Sequence, residues 1–212
     1  METLLKMWEY IASNPEQYFT SIWQHIYLDL ISFIIILAIS LPIGYFAAKS
    51  RRVSIPVIIS VNIIMVVPTL SVLGLLLPYT GFGAQTAIIG LVIIGVPFMT
   101  ISMMTAIRGV NPLTLENAAA MGMEPWRVCF DVELPLAFPT ILNGIRVTSV
   151  TLIAGTTLAT YVSAGGLGYY IVNGLGMNRM EMVYVGALTV ALIAICVDLS
   201  IASLQKRVLN KY

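Results

Sequence analysis

Residues 53–107 read VSIPVIISVNIIMVVPTLSVLGLLLPYTGFGAQTAIIGLVIIGVPFMTISMMTAI, with no Asp, Glu, Lys or Arg anywhere in the stretch. A helix that crosses a bilayer takes about 20 apolar residues, so the run is too long for one span and suits two. Pro78, Gly81 and Gly83 supply the turn between them. Outward from this stretch, Leu30–Ala48 is uncharged on its N-terminal side. Val147–Asn178 and Met182–Gln205 follow on the other side, the latter interrupted only by Asp198. Spans are expected at about 24–48, 54–78, 84–107, 138–163 and 182–204. Composition agrees: only 10% of the 212 residues are charged and 58% are hydrophobic, whereas a soluble domain carries roughly 25% charged residues. The expected fold class is an all-α integral membrane protein of about five transmembrane helices, forming a single domain over residues 1–212.

The formal net charge of +1 gives no bias toward nucleic acid, and no basic patch is interleaved with aromatics. Cys129 and Cys196 stand in no CxxC motif and are expected to be unpaired. His25 has no second ligand at metal spacing and reads as a polar residue near a membrane surface. Residues 1–19 carry Glu2, Lys6, Glu9 and Glu16 and no apolar core behind a basic start, so no cleavable leader is expected. Leu4–Ala12 instead suggests a short amphipathic helix on the outer membrane surface, broken at Asn14-Pro15. Lys49, Arg51, Arg52, Arg108, Arg127, Arg146, Lys206, Arg207 and Lys211 fall on one side of the five spans, and only Lys6 and Arg179 on the other. The positive-inside rule then sets the N-terminus outside and the C-terminus inside, with the 108–135 loop in the cytoplasm.

That loop is the one long polar segment, and its first part reads Asn111-Pro-Leu-Thr-Leu-Glu-Asn-Ala-Ala-Ala-Met-Gly122. Asn111 suits an N-cap, Pro112 the first helical position, and Gly122 the residue past the end, where a positive φ is expected. Glu124-Pro125 is expected to start a second short helix and Leu134-Pro135 to end it. Ala118, Ala119 and Ala120 thin the middle of the first helix, so it can approach a partner's groove closely or serve as a plain connector.

The segment resembles the signature loop of permeases of bacterial binding-protein-dependent ABC importers: Glu-Ala-Ala, three residues, Gly, nine residues, Ile, one residue, Leu-Pro. Glu116, Ala118, Gly122, Leu134 and Pro135 keep that spacing, while Asn117 replaces the first Ala and Val132 the Ile. Over nearly the whole chain the sequence is similar to osmoprotectant permeases of this family, those for glycine betaine, carnitine and choline. The residues that carry this likeness are Pro68–Gly74, Pro78–Gly83, Ile107–Asn111, Glu133–Pro139 and Gly165–Ile171. The Gly-Gly-Leu-Gly element at 165–168 recurs in methionine-type permeases, which keeps an amino-acid importer as the alternative.

The resemblance implies a type I ABC importer permease fold in the bacterial cell membrane. It implies a second permease subunit, identical or paralogous, two cytoplasmic ATPase subunits and an extracellular substrate-binding protein. Glu116, Ala118, Gly122, Leu134 and Pro135 would then belong to the ATPase-coupling loop. No GxxxxGK[ST] phosphate loop occurs, and neither does a catalytic triad. The chain is therefore expected to be no enzyme and to hold no cofactor, with ATP hydrolysed by the partner subunit. Pro68, Thr69 and Ser71 are candidates for the translocation path, because a broken helix in lipid needs its freed carbonyls satisfied by neighbours or water. Tyr79 and Tyr161 join them, since a quaternary ammonium ion can rest on an aromatic face. With Tyr169 and Tyr170 they read equally as an interfacial aromatic belt. Asp198 is expected to reach the inner interface or to pair with a basic residue. An ion-gradient transporter fits less well, because five spans without an internal repeat do not divide into two halves. A channel fits less well for want of a filter motif.

Overall fold

The computed structural model describes residues 2–209; Met1 and residues 210–212, Lys211 of the basic cluster among them, lie outside the described residues, as do the side chains of Glu2, Thr3, Leu4, Lys6, Val208 and Leu209. The described chain is helical, with no strand. It runs α1 (Glu2–Ser13), α2 (Pro15–Lys49), α3 (Arg51–Val66), α4 (Thr69–Thr80), α5 (Ala84–Arg108), α6 (Pro112–Ala120), α7 (Pro125–Arg127), α8 (Leu134–Thr156), α9 (Gly168–Gly176) and α10 (Met180–Leu209). A π-helical turn, Val128–Glu133, joins α7 to α8, and a 3₁₀ turn, Thr157–Val162, follows α8.

Four helical runs are long and apolar enough to cross a membrane: α2, α5, the continuous stretch from Pro125 to Val162, and α10. The span expected at 54–78, with Pro68 as the residue that kinks or breaks it, is broken there, and α3 and α4 meet at 95°. Pro68 explains the break. It has no N–H to continue the ladder, so Val67 N–H turns back to the Ile64 carbonyl (3.1 Å), and the amides of Ser71 and Val72 start a new helix on the Pro68 carbonyl. Two boundaries differ from expectation. α2 begins at Pro15, well before residue 24, because after Asn14-Pro15 nothing interrupts the helix and Glu16 and Gln24 ride on its first turns. Pro135 does not end a helix. The widened turn before it carries Leu134 N–H to the Cys129 carbonyl, five residues back, and so makes room for the ring.

α2 packs along α5, α5 along α8, α8 along α10, and α10 against α9. Small residues allow the first of these contacts. A Cβ on Gly44 of α2 would stand 2.6 Å from Met103 Cβ and 2.9 Å from the Thr100 carbonyl of α5, so the two backbones touch there. Gly90 and Gly95 of α5 instead make room for the side-chain ends of Leu73 on α4 and Ile36 on α2. Ser60, on α3, is exposed. The main core gathers Leu28, Ile36, Leu73, Leu91, Met99, Ile141 and Leu152 from α2, α4, α5 and α8.

α10 is fastened to α8 by a bidentate pair in which Arg146 donates from Nε and Nη2 to the two Asp198 oxygens, the second at 2.6 Å. An acid within an apolar helix is costly unless paired, and a lone survivor of a broken pair is worse than no pair. Arg146→Leu is therefore expected to lower the melting temperature of the detergent-solubilised protein, and Arg146→Leu with Asp198→Leu to recover most of it. Equal melting temperatures for the single and double variants would show that the pair is not coupled.

Candidate functional site

At the basic end of the bundle, α6 follows α5 in the chain and packs against the π turn. Asn111 caps it: its side chain accepts from Leu113 N–H at 3.0 Å. At the other end Gly122 N–H bonds the Ala119 carbonyl (3.0 Å) and Met123 N–H the Ala118 carbonyl (3.3 Å). With Gly122 at φ +83°, this is a Schellman cap, which satisfies carbonyls that the helix end would leave open. Ala118 is buried, whereas Ala119, Ala120, Asn117 and Glu116 are exposed. Glu116 makes no hydrogen bond or ion pair among the described residues. The thin triplet is flanked by bulk: Leu113, Met121 (84% exposed), Trp126 and Phe130 all stand in the open. Leu134 and Pro135 are half-buried at the start of α8.

Both ends of the loop are fastened to the corner between α2 and α3. Arg108 Nη2 donates to Ser54 Oγ (2.7 Å) and to the Ala47 carbonyl (3.1 Å). Glu133, only 2% exposed, accepts from Lys49 Nζ on one carboxylate oxygen and from the Tyr45 hydroxyl (3.4 Å) on the other. The sequence offers no local hint of Glu133's role, since its partners lie on a distant helix and it occupies a free position of the loop pattern.

At the opposite end, His25 is fully buried within the protein. Leu167 N–H donates to its Nδ1 (3.4 Å), which leaves the proton on Nε2, facing the Ile153 carbonyl (3.2 Å) and Asp29 Oδ2 (3.5 Å). Thr156 donates to the other Asp29 oxygen, and Gly166 N–H donates to Gln24 Oε1 (3.1 Å). These bonds tie α2 to α8 and to the glycine-rich connection, within which α9 forms. Tyr170 of α9 is fully buried, edge-on to Tyr10 (6.0 Å), Tyr18 (6.2 Å) and Tyr169 (5.5 Å). Tyr170 thus serves packing, neither belt nor path.

The candidate path residues do not converge on one cavity. Thr69 lines a cleft of about 290 Å³ with Thr151, Gly155, Leu91, Ile94 and Leu158, between α4, α5 and α8. Pro68 and Ser71 lie exposed beside it on the bend. Tyr79, 88% exposed, and Tyr161, half exposed, stand away from the cleft, and no aromatic lines it.

The capped helix α6 lies in the loop whose residues carry the family resemblance, and comparison with known proteins agrees with that family. The family model described as binding-protein-dependent transport system inner membrane component matches residues 40–210. The chain belongs to this family. This permease is 33% identical to the carnitine transport permease protein of Listeria monocytogenes over 95% of its own length and 93% of that protein's. It is 32% identical to the glycine betaine/carnitine/choline transport system permease protein of Bacillus subtilis (strain 168), over 97% and 95% of the two chains. Among solved structures, the permease overlays a chain of the MetNI methionine ABC transporter in an inward-facing conformation with a TM-score of 0.83, covering 92% of this chain and 98% of that one at 21% identity. That likeness is one of fold. The permease is thus the membrane component of a transport system, with a type I ABC importer fold.

Proposed function

We propose that this permease is the membrane subunit of an ATP-driven importer for quaternary-amine osmoprotectants of the glycine betaine, carnitine and choline class. The observation that carries the reading is the 33% identity to a carnitine permease over 95% of the chain. In this reading the N-terminus lies outside. A second permease subunit completes the path, and an extracellular binding protein delivers substrate. Two cytoplasmic ATPases dock on α6 and its flanks and supply the energy. Glu116 is exposed and uncommitted among the described residues, which suits a contact with the ATPase rather than a role in holding the loop. The bulky groups Leu113 and Met121, beside a thin alanine face, have the form of a helix seated in a groove. Thr69 and Thr151 offer hydroxyls to a passing cation from the walls of the cleft at the bend.

The test is uptake of labelled glycine betaine, choline, carnitine and methionine at high and low salt, in cells with and without this chain and with its partner subunits present. Uptake of a quaternary amine that depends on the chain is the expected result. Chain-dependent uptake of methionine alone would overturn the substrate class and leave the importer architecture standing.

A further inference from the structure

The loop between α5 and α8 is held at both ends, and both holds are on the same joint. Ser50 is the one residue between α2 and α3, in an extended conformation (φ −129°, ψ 120°). On its N-terminal side, Tyr45 and Lys49 lie one helical turn apart and grip the two oxygens of Glu133. Lys49 also sits 5.7 Å from the Tyr45 ring centroid, so the two donors are braced against each other. On both sides of Ser50, the carbonyl of Ala47 and the hydroxyl of Ser54 receive Arg108. Arg108 closes α5, and Glu133 closes the π turn against which α6 packs.

A carboxylate that is nearly fully buried, with each oxygen bonded, is a stiff connection. Charge-assisted bonds are the strong ones, and a buried charge cannot slip to another partner without desolvation cost. A π turn, wider and less regular than its neighbours, is a place where a helix yields. A push on α6 therefore finds one compliant element, Val128–Glu133, and two stiff ties that deliver the displacement to Ser50.

From this geometry we infer that the Ser50 joint receives the stroke of the loop helix. Glu133, Lys49, Tyr45, Arg108 and Ser54 are positioning residues that convert movement of α6 into a change of angle between α2 and α3. The inference rests on the proposed coupling role of α6 but assigns a destination that the role alone does not. Because α2 packs along α5 and α3 leads to the bend at Pro68, a change at Ser50 reaches the broken span directly.

The experiment uses the assembled transporter, permease with its ATPase, in proteoliposomes with binding protein, and measures substrate moved per ATP hydrolysed. In Glu133→Gln and Lys49→Gln, the ATPase is expected to co-purify as in the wild type and to hydrolyse ATP, while transport per ATP falls about fivefold or more, at the lower end of couplings between separate sites. The charge exchange Lys49→Glu with Glu133→Lys should recover a substantial part of that ratio, which a loss unrelated to the pairing of these two residues would not do. Tyr45→Phe, which keeps the ion pair and folds most safely, should show a smaller fall in the same ratio. Unchanged transport per ATP in Glu133→Gln and Lys49→Gln, with ATPase bound, would overturn the inference and leave the coupling role intact. If the wild-type permease does not retain the ATPase, or Gly122→Val affects neither binding nor uptake, the coupling role itself fails.

Discussion

Gly122→Val is expected to cut uptake by roughly five- to thirtyfold while the permease still reaches the membrane. The residue sits at φ +83°, a conformation that costs an L-residue about 1–2 kcal/mol, and such an energy shifts a population by a factor of about 5–30. Space is not the obstacle, because a Cβ at Gly122 would meet nothing within 4 Å. The loss arises from the cap. If the residue cannot hold its left-handed turn, the bonds from Gly122 and Met123 to the Ala119 and Ala118 carbonyls come apart and the end of α6 frays. A series separates this cause from a clash with a partner. Asn enters the left-handed region more readily than Ala, and Ala more readily than Val, so uptake should fall in the order Gly, Asn, Ala, Val. A series that instead follows side-chain volume, with Ala better than Asn, would place the defect in the docked partner rather than in the backbone. Co-purification of the ATPase with each variant gives the second measurement.

Gly168→Ala is expected to be the most damaging single methyl addition in the chain. A Cβ there would lie 2.7 Å from the Thr157 carbonyl carbon and closer still to its oxygen. These are backbone atoms and cannot swing aside as the end of a side chain would. Overpacking typically costs about 1–3 kcal/mol, and a clash with backbone belongs at or above the top of that range. The first turn of α9 would have to lift off the 3₁₀ turn, taking with it Leu167 N–H, which His25 accepts, and the buried ring of Tyr170. Fluorescence-detected size exclusion and thermal unfolding in detergent should show little folded material for Gly168→Ala. Gly176→Ala, at the far end of the same helix with nothing within 4 Å, should behave as the wild type. Matching melting curves for the two variants would refute the packing account.

Much of this architecture can be read from one sequence because membrane spans and helix caps are local signals. Asn111, Pro112 and Gly122 each act on the residues beside them, so the limits of α6 follow from residue type. The uncharged runs act likewise, and α5 lies within a residue of its expected range. What escapes a local reading depends on distant partners. The sequence does not say that Pro42 and Pro97 sit inside continuous helices while Pro68 parts α3 from α4. All three are prolines in apolar surroundings, and burial does not sort them either, since Pro42 is exposed within its helix as Pro68 is at the break, while Pro97 is buried. α9 is hidden by its own glycines, which signal coil and are offset by the burial of Tyr170 among three other tyrosine rings. His25 and Glu133 each look ordinary in their own segments. Apart from Asp29, one turn on from His25, their bonds come from chain segments far away, and no periodicity or spacing announces those pairs.

The right-angled bend at Pro68 has a consequence for what must lie beside it. α3 has 16 residues, about 24 Å of rise, which stops short of a hydrocarbon layer about 30 Å thick. Beyond it the span is completed by α4, a rod of 12 residues lying crosswise, and the final carbonyls of α3 must look to water or to a neighbouring chain for donors. Lipid cannot seal such a place. The far side of this span is therefore a place that needs water or a second protein surface beside it, where a short helix turns off at 95° from the one before it.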